Sequence, residues 1–152
     1  KLLLKYPNLE FYIYGVGPLE NQIIKLIKEK KLEKRVFLKG FEVDRNKIYG
    51  DKDIFLLASR YEGMPNVLAE AMCMGIPSIS TNCDYGPRDL ILNDDMGLLV
   101  DGFEIDDLEK AIDYFIMNYN KYIQNAKNAK KILREKYSLE NIVNQWILFL
   151  EK

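Results

Sequence analysis

Two glutamates with seven residues between them, Glu62 and Glu70, are the side chains whose type and spacing most directly suggest a ligand site. Glu62 precedes Gly63, which has no Cβ and lets the backbone approach a ligand closely. A carboxylate here accepts hydrogen bonds from hydroxyl groups, whereas it repels a phosphate. Glu70 fits the same chemistry, but a single glutamate on a helix is also commonly a solvated surface residue. The spacing alone leaves both interpretations of Glu70 open.

The segment between the two glutamates is predicted to begin a helix. Pro65 suits the first helical position, where its missing N–H costs no hydrogen bond, and Gly75 followed by Pro77 is a typical helix stop. The helix should be about ten residues long, with its first amides, those of Asn66 and Val67, at the positive end of the dipole. Such an end can hold a phosphate. With the two glutamates, it suits a ligand with a sugar at one end, phosphate in the middle and a nucleoside at the other.

Composition argues against several other kinds of site. The chain has 152 residues and a net charge of -1, so no global field favours nucleic acid as a partner. It contains no histidine, and its two cysteines, Cys73 and Cys83, are too few for a zinc site, so no metal site is expected. We interpret both as neutral thiols of a cytoplasmic protein. The length fits one domain, and no apolar run is long enough to span a bilayer.

Short apolar segments with the composition of β-strands alternate with helical segments, and a helical tail follows. The predicted strands are 10–14, 35–40, 54–58, 76–81 and 96–100, with breaks in the tail near 118–122 and 137–138. Strands that are nearly continuous in apolar character are typical of a parallel sheet buried on both faces. We therefore predict an α/β fold with a doubly wound, mostly parallel sheet of about five strands and a helical C-terminal tail.

The loops at the carboxyl ends of these strands are the expected place for a ligand. They are predicted at Gly15–Pro18, Lys39–Glu42, Ser59–Pro65 and Thr81–Arg88. Lys39 and Arg88 are the cations of these loops nearest the expected site, although exposed cations are common. The segment GVGPLE holds only part of a dinucleotide fingerprint, because Glu20 stands at the third glycine position, so NAD is not expected.

The stretch SRYEGMPNVLAEAMCMGIPSISTNCDYGPRDLI, followed by MGLLV, resembles the donor-binding half of the retaining glycosyltransferases of family four, which have the GT-B fold. The resemblance extends to PNLEFYIYGVGPLENQI and KRVFLKGF and so covers most of the chain. It implies a Rossmann-like half of a GT-B fold in which residues 1–152 form a nucleotide-sugar-binding C-terminal domain. The residues that match the family pattern are Glu62, Gly63, Pro65, Val67, Leu68, Glu70, Ala71, Met72, Gly75, Pro77 and Ile79.

The resemblance also implies roles for individual residues. Glu62 would hold the donor sugar as the catalytic carboxylate, and Glu70 would bind the ribose. Asp89 stands where the family commonly has glutamate, which leaves the role of that carboxylate open. The other implied contacts are Gly63, Met64, Pro65, Asn66 and Val67 at the β-phosphate, and Gly15, Gly17 and the loop Lys39–Phe41 along the nucleotide.

The reaction implied by the resemblance is transfer of a sugar from a nucleoside diphosphate sugar, with UDP expected, to a hydroxyl acceptor. Configuration would be retained, and no metal or other cofactor would be required. The acceptor-binding N-terminal domain and the first strand of this half would precede residue 1. The chain is therefore expected to be a piece of a longer protein and inactive by itself.

The abundance of Tyr, Lys and Ile suggests a bacterial source and a role in surface polysaccharide or glycolipid synthesis. The expected location is the cytoplasm, with peripheral association with the inner membrane as a further expectation. Two other interpretations stay open, a non-catalytic partner subunit of the same fold and a nucleotide-sugar epimerase.

Overall fold

The computed structural model describes residues 1–151. The chain forms two compact units, Lys1–Asp51 and Lys52–Lys152.

The first unit contains two strands that pair in parallel. After Ile13 the register shifts, which places Tyr14 opposite Gly40. Arg35 fixes the segment before the first strand, because its Nε donates to the carbonyl of Leu9 at 2.8 Å and its Nη2 to that of Tyr6 at 3.0 Å. The elements of this unit are α1 (Leu2–Lys5), β1 (Phe11–Tyr14), α2 (Glu20–Glu29), β2 (Val36–Gly40) and α3 (Arg45–Tyr49).

The second unit contains a three-stranded parallel sheet with the strand order β3-β4-β5. Every side chain of the central strand β4 is buried. The elements are β3 (Phe55–Leu57), α4 (Asn66–Met74), β4 (Ser78–Thr81), α5 (Pro87–Leu90), β5 (Leu98–Val100), α6 (Ile105–Met117), α7 (Tyr119–Lys136) and α8 (Leu139–Leu150).

The core of the second unit forms around α4. Leu68 and Met72, one turn apart on this helix, are almost completely buried, and each such side chain contributes on the order of 2 kcal/mol. Phe115 of α6 stacks on Tyr122 of α7 with the ring centroids 3.9 Å apart. The buried cluster around α4 consists of Leu68, Met72, Leu90, Ile91, Met96, Ala129 and Leu133.

Local sequence explains why α4 ends where it does. Gly75 adopts φ 87°, its N–H donates to Met72 at 2.9 Å, and the next N–H, of Ile76, reaches the carbonyl of Ala71 at 3.0 Å. This is the Schellman arrangement. Two carbonyls of the last turn accept hydrogen bonds from positively charged side chains of α7. Lys130 Nζ donates to the carbonyl of Met74 at 3.4 Å, and Arg134 Nε donates to that of Cys73 at 3.0 Å. Positive charge at the negative end of the dipole stabilises the helix.

The helical tail breaks where the sequence predicted. Asn118 separates α6 from α7, and Ser138 caps α8 by accepting the N–H of Asn141 at 3.2 Å. Among residues 1–151, no helix is both long enough and apolar enough to cross a membrane.

The predicted fold class is confirmed: all pairings are parallel, helices flank the strands, and the C-terminal end is helical. The five strands form two hydrogen-bonded groups, β1-β2 and β3-β4-β5, where the sequence suggested one sheet. The helix α5 was not predicted, because a single turn of four residues has too little periodicity to be recognised.

One overlap between predictions is resolved, and one local prediction was wrong. Lys39 and Gly40, predicted both in the strand 35–40 and in the loop Lys39–Glu42, belong to β2, because the N–H of Gly15 donates to the Gly40 carbonyl at 2.7 Å and prolongs the pairing. Pro65 is the N-cap of α4 and not its first helical residue. Its ψ of 86° is not helical, while its carbonyl accepts the first helical N–H groups, from Leu68 at 3.0 Å and Ala69 at 3.1 Å.

Candidate functional site

The start of α4 has the form of an anion-binding helix end. The hydrogen-bond ladder begins with the N–H of Leu68, so the amides of Asn66 and Val67 lie in the first turn, at the positive end of the helix dipole. Both of these residues are exposed, and no acidic residue lies in the first turn. This end of the helix therefore favours a negatively charged ligand group.

Glu70 lies on the same face of α4 as Asn66 and Val67 of that first turn. It follows Asn66 by four residues and Val67 by three, and residues at these separations are neighbours on a helix surface. Glu70 is partly exposed, whereas Leu68 and Met72 on the core-facing side are buried. Glu70 therefore lies on the side of α4 that faces away from the core, about one turn beyond the amides of Asn66 and Val67.

Glu62 lies on the loop between β3 and α4, which we call the site loop (residues 59–65). The beginning of the loop is held by Thr81, whose hydroxyl donates to the carbonyl of Ser59. Its end is held by Pro65, which is completely buried. Glu62 is partly exposed, and Gly63 is exposed with no atom within 4 Å of the position that a Cβ would take. A carboxylate and an unobstructed stretch of backbone thus lie immediately before the positive end of α4.

The segment that follows β4, which we call the supporting loop (residues 82–86), packs against the site loop. The contact is made by Gly86, close to Gly63 and Pro65. Thr81 and Gly86 were not singled out from the sequence. The dipeptide Gly86–Pro87 is a turn signal, but nothing in the local sequence shows which segment the turn touches.

Arg88, a predicted cation of the loop after β4, is engaged within its own unit. Its Nε donates to the amide oxygen of Asn82, and its Nη2 lies 3.9 Å from a carboxylate oxygen of Asp101. Asn82 also donates to Asp101. Because the ion pair is exposed, it adds little stability, but the arrangement orients the guanidinium towards Asp101.

The predicted site residues of the first unit lie at the ends of β1 and β2. Gly15 adopts φ 121°, and its N–H donates a hydrogen bond to the carbonyl of Gly40, as described above. Neither glycine has an atom within 4 Å of the position that a Cβ would take. Gly17 is equally unobstructed. The Lys39 ammonium lies over two rings on the strand face, 5.3 Å from the centroid of Tyr12 and 5.7 Å from that of Phe37.

The structure therefore gathers the predicted residues into two groups. Gly15, Gly17 and Lys39 belong to the first unit, and the segment from Glu62 to Glu70 belongs to the second. Their assignment to one ligand stays a prediction.

Cys73 has the structural role expected from the sequence. It lies on α4 beside the buried cluster, and burial raises the pKa of its thiol above the ordinary value, which keeps the thiol neutral.

Comparison with known proteins gives consistent results. The sequence model of the family described as "Glycosyl transferases group 1" matches residues 1–132. The poly(ribitol-phosphate) alpha-N-acetylglucosaminyltransferase of Staphylococcus aureus (strain COL) is 32% identical over 148 residues, which are 97% of this chain and 30% of that protein.

Solved structures agree with the sequence comparison. A crystal structure of an S. aureus TarM mutant with fondaparinux, alpha-GlcNAc-glycerol and UDP has a TM-score of 0.88 at 30% identity, over 99% of this chain and 31% of that one. Anabaena Alr3699/HepE with UDP has a TM-score of 0.83 at 24% identity, over 95% of this chain and 41% of that one, and supports the fold. The chain thus spans less than half the length of each of these proteins.

Proposed function

This chain belongs to the family of glycosyl transferases group 1, and we propose that it is the donor-binding part of a retaining glycosyltransferase. The donor would be a nucleoside diphosphate sugar, with UDP as the nucleotide, and the acceptor would be a hydroxyl group. The chain spans 30% of its S. aureus relative, so the acceptor site is assigned to another part of a longer protein.

The observation that carries this proposal is the arrangement of Glu62 and Glu70 on either side of the positive end of α4. The amides of Asn66 and Val67 would meet the diphosphate, which gains negative charge as the bond to the sugar breaks. Glu70, about one turn further along the same face, would accept hydrogen bonds from the ribose. Glu62, on the other side, would accept hydrogen bonds from hydroxyls of the donor sugar.

The chemistry of the leaving group supports an expectation of transfer without added metal. The helix end offers fixed dipoles to the diphosphate, and further cations from the longer protein would complete its neutralisation. The acceptor hydroxyl must be held close to the anomeric carbon, and that positioning requires a second wall facing this chain. Because the chain contains no histidine, any group that removes the acceptor proton is expected from that second wall or from the substrate.

The relatives indicate the kind of product. The S. aureus relative is named for transfer of N-acetylglucosamine to poly(ribitol-phosphate), and the TarM structure contains UDP. By analogy, we assign this chain to the synthesis of a bacterial surface polysaccharide or glycolipid, in the cytoplasm or at the cytoplasmic face of the membrane.

Two substitutions test the assignment of the site. Glu70→Ala should weaken binding of UDP, whereas Glu62→Ala should leave UDP binding nearly unchanged and remove the additional affinity of a UDP-sugar. Titration with UDP, UDP-glucose and UDP-N-acetylglucosamine by NMR measures both effects, and Glu140→Ala on α8 is the control. Equal losses for UDP and UDP-sugars in both variants would refute the division of roles, and absence of UDP binding to the unaltered chain would refute the proposal.

The reaction itself is tested with the longer protein. We expect that protein to transfer sugar in the presence of EDTA, and the 152-residue chain alone to bind donor without transferring it. Mass spectrometry of the products distinguishes a glycosylated acceptor from an epimerised donor. Transfer by the chain alone, or loss of activity in EDTA, would contradict the assigned division of labour.

A further inference from the structure

Gly86 occupies a position where a side chain would collide with the site loop. Its backbone adopts φ 88° and ψ -59°, and the residue is buried. A Cβ here would overlap the carbonyl oxygen of Gly63 and would lie 2.5 Å from Cδ of Pro65. These are atoms of a backbone and of a proline ring, so neither can rotate away as the end of a flexible side chain would.

The two segments that meet at Gly86 are both attached to the core of the second unit. On one side, Pro65 is completely buried and its carbonyl begins the hydrogen-bond ladder of α4. On the other side, Pro87 is completely buried, and Leu90 belongs to the same buried cluster as Leu68 of α4. If a side chain at position 86 pushed the two segments apart, the buried residues on either side could move little. The exposed part of the site loop would therefore move instead.

Within that exposed part, Gly63 has open space on one side and Gly86 on the other. The position of a Cβ on Gly63 has no atom within 4 Å, whereas the carbonyl of the same residue lies against Gly86. Gly63 is thus supported from one side and open on the other, and Glu62 immediately precedes it.

We propose that Gly86 is a positioning residue that holds the site loop at the level where Glu62 and the first amides of α4 meet the donor. The absence of a side chain at position 86 allows the supporting loop to pack directly against the backbone of Gly63. This inference rests on the proposed function for its consequence in binding. Its structural part, the placement of the site loop by Gly86, is tested without any ligand.

Gly75 provides a control for a positive φ. It has φ 87° and ψ 26°, in the left-handed helical region, whereas Gly86 at ψ -59° lies outside that region, so alanine is penalised at both positions and more strongly at Gly86. A Cβ on Gly75, however, would lie 3.2 Å from Cδ of Lys130, a flexible side chain that can move aside. Only Gly86→Ala combines the penalty with a collision at the site loop.

The first experiment compares Gly86→Ala and Gly75→Ala by NMR without ligand. Gly86→Ala should shift the amide resonances of residues 61–64 and 66–68 and increase their hydrogen exchange, while Gly75→Ala should change only the end of α4. If the site-loop resonances of Gly86→Ala match those of the unaltered chain, the proposal is wrong.

The second experiment measures binding of UDP, UDP-glucose and UDP-N-acetylglucosamine to the same variants. Gly86→Ala should lower the affinity for the preferred UDP-sugar about tenfold more than the affinity for UDP, because one charge-assisted contact is of that order. Gly75→Ala should leave the ratio of the two affinities unchanged, even where it lowers the melting temperature. A general loss of stability would not change this ratio.

The outcomes separate the two proposals. If the unaltered chain binds none of the three compounds, the proposed function fails, while the shifts of residues 61–64 and 66–68 still decide the role of Gly86. If Gly86→Ala does not fold, Pro65→Ala tests the same contact by removing the ring atoms beside Gly86, with Pro77→Ala as its control. Pro65→Ala should then increase hydrogen exchange across the site loop, and unchanged exchange would overturn the proposal.

Discussion

The two units hold their predicted ligand segments in different ways. In the second unit the site loop is fixed at Ser59 by Thr81 and at its end by buried Pro65, above an extensive core. In the first unit the turn at Gly15 depends on a backbone hydrogen bond to Gly40, and Tyr49 is the one buried apolar side chain that the described residues place there. We infer from this comparison that the segment proposed to meet the phosphate is preorganised by its own unit, whereas the Gly15 turn is more adjustable.

The comparison is tested most strongly by removing an aromatic side chain from each unit. Phe115→Ala in the second unit should cost about 3 to 5 kcal/mol of unfolding free energy, because the side chain is fully buried and stacked on Tyr122. Phe37→Ala in the first unit should cost much less, since Phe37 is only partly buried. Urea denaturation followed by circular dichroism measures both, and equal losses would show that the first unit is held as firmly as the second.

Gly15 and Gly63 allow the two units to be compared at their predicted ligand segments, because neither has an atom within 4 Å of the position that a Cβ would take. Gly15→Ala should destabilise the β1-β2 pair by about 1 to 2 kcal/mol, because φ 121° is unfavourable for alanine. Gly63 has no such dihedral angle, so Gly63→Ala should change stability by less than about 0.5 kcal/mol and yet weaken binding of a UDP-sugar. Hydrogen exchange of the β1 amides and calorimetric titration provide the two readouts. Full donor affinity in Gly63→Ala would indicate that the ligand does not approach this backbone.

Each unit also has a helix cap whose loss can be compared. Asp44 accepts the N–H of Asn46 at 2.9 Å at the start of α3, and Ser138 accepts that of Asn141 at 3.2 Å at the start of α8. Alanine at either position should cost about 1 kcal/mol locally. We expect the loss at Asp44 to spread across the first unit, which has little core to resist it, and the loss at Ser138 to stay within α8. Residue-resolved hydrogen exchange measures the extent, and the reverse pattern would contradict the comparison.

The smallest expected effect is a pH dependence in the first unit. The Glu42 carboxylate accepts the N–H groups of Asp44 and Val43, both at 2.9 Å, and lies 3.6 Å from the Lys47 ammonium. These contacts, led by the Asp44 amide, hold its pKa below the ordinary value of 4.5. The stabilisation is therefore fully present above that ordinary value and is lost as the pH falls through the lower pKa of the folded state.

An NMR titration of the Glu42 side-chain carboxyl tests this, with Glu42→Gln as the variant that should remove the dependence. A midpoint at or above the ordinary glutamate value would contradict the assignment.

Sequence and structure agree best where the relevant interactions are local. The end of α4 follows from Gly75 and the cap of α8 from Ser138, because both signals act within one helix turn. The sequence placed Lys39 both in a strand and in the following loop, because the end of β2 is set by its pairing with β1, which includes a register shift. Likewise, the sequence marks Gly86 as a turn residue, but its collision with the site loop arises only when two loops separated along the chain pack together.

The course of α7 has a practical consequence for where a shorter version of this protein can be cut. The sequence shared with the family model stops at residue 132, one residue before the completely buried Leu133. Beyond that point, Arg134 still holds a carbonyl of α4, and the Tyr137 hydroxyl donates to the carbonyl of Asp89 at 3.4 Å. An expression boundary placed at the end of the family match would divide a helix and open the hydrophobic interior to proteases. A boundary after Ser138 would spare that interior and remove only α8.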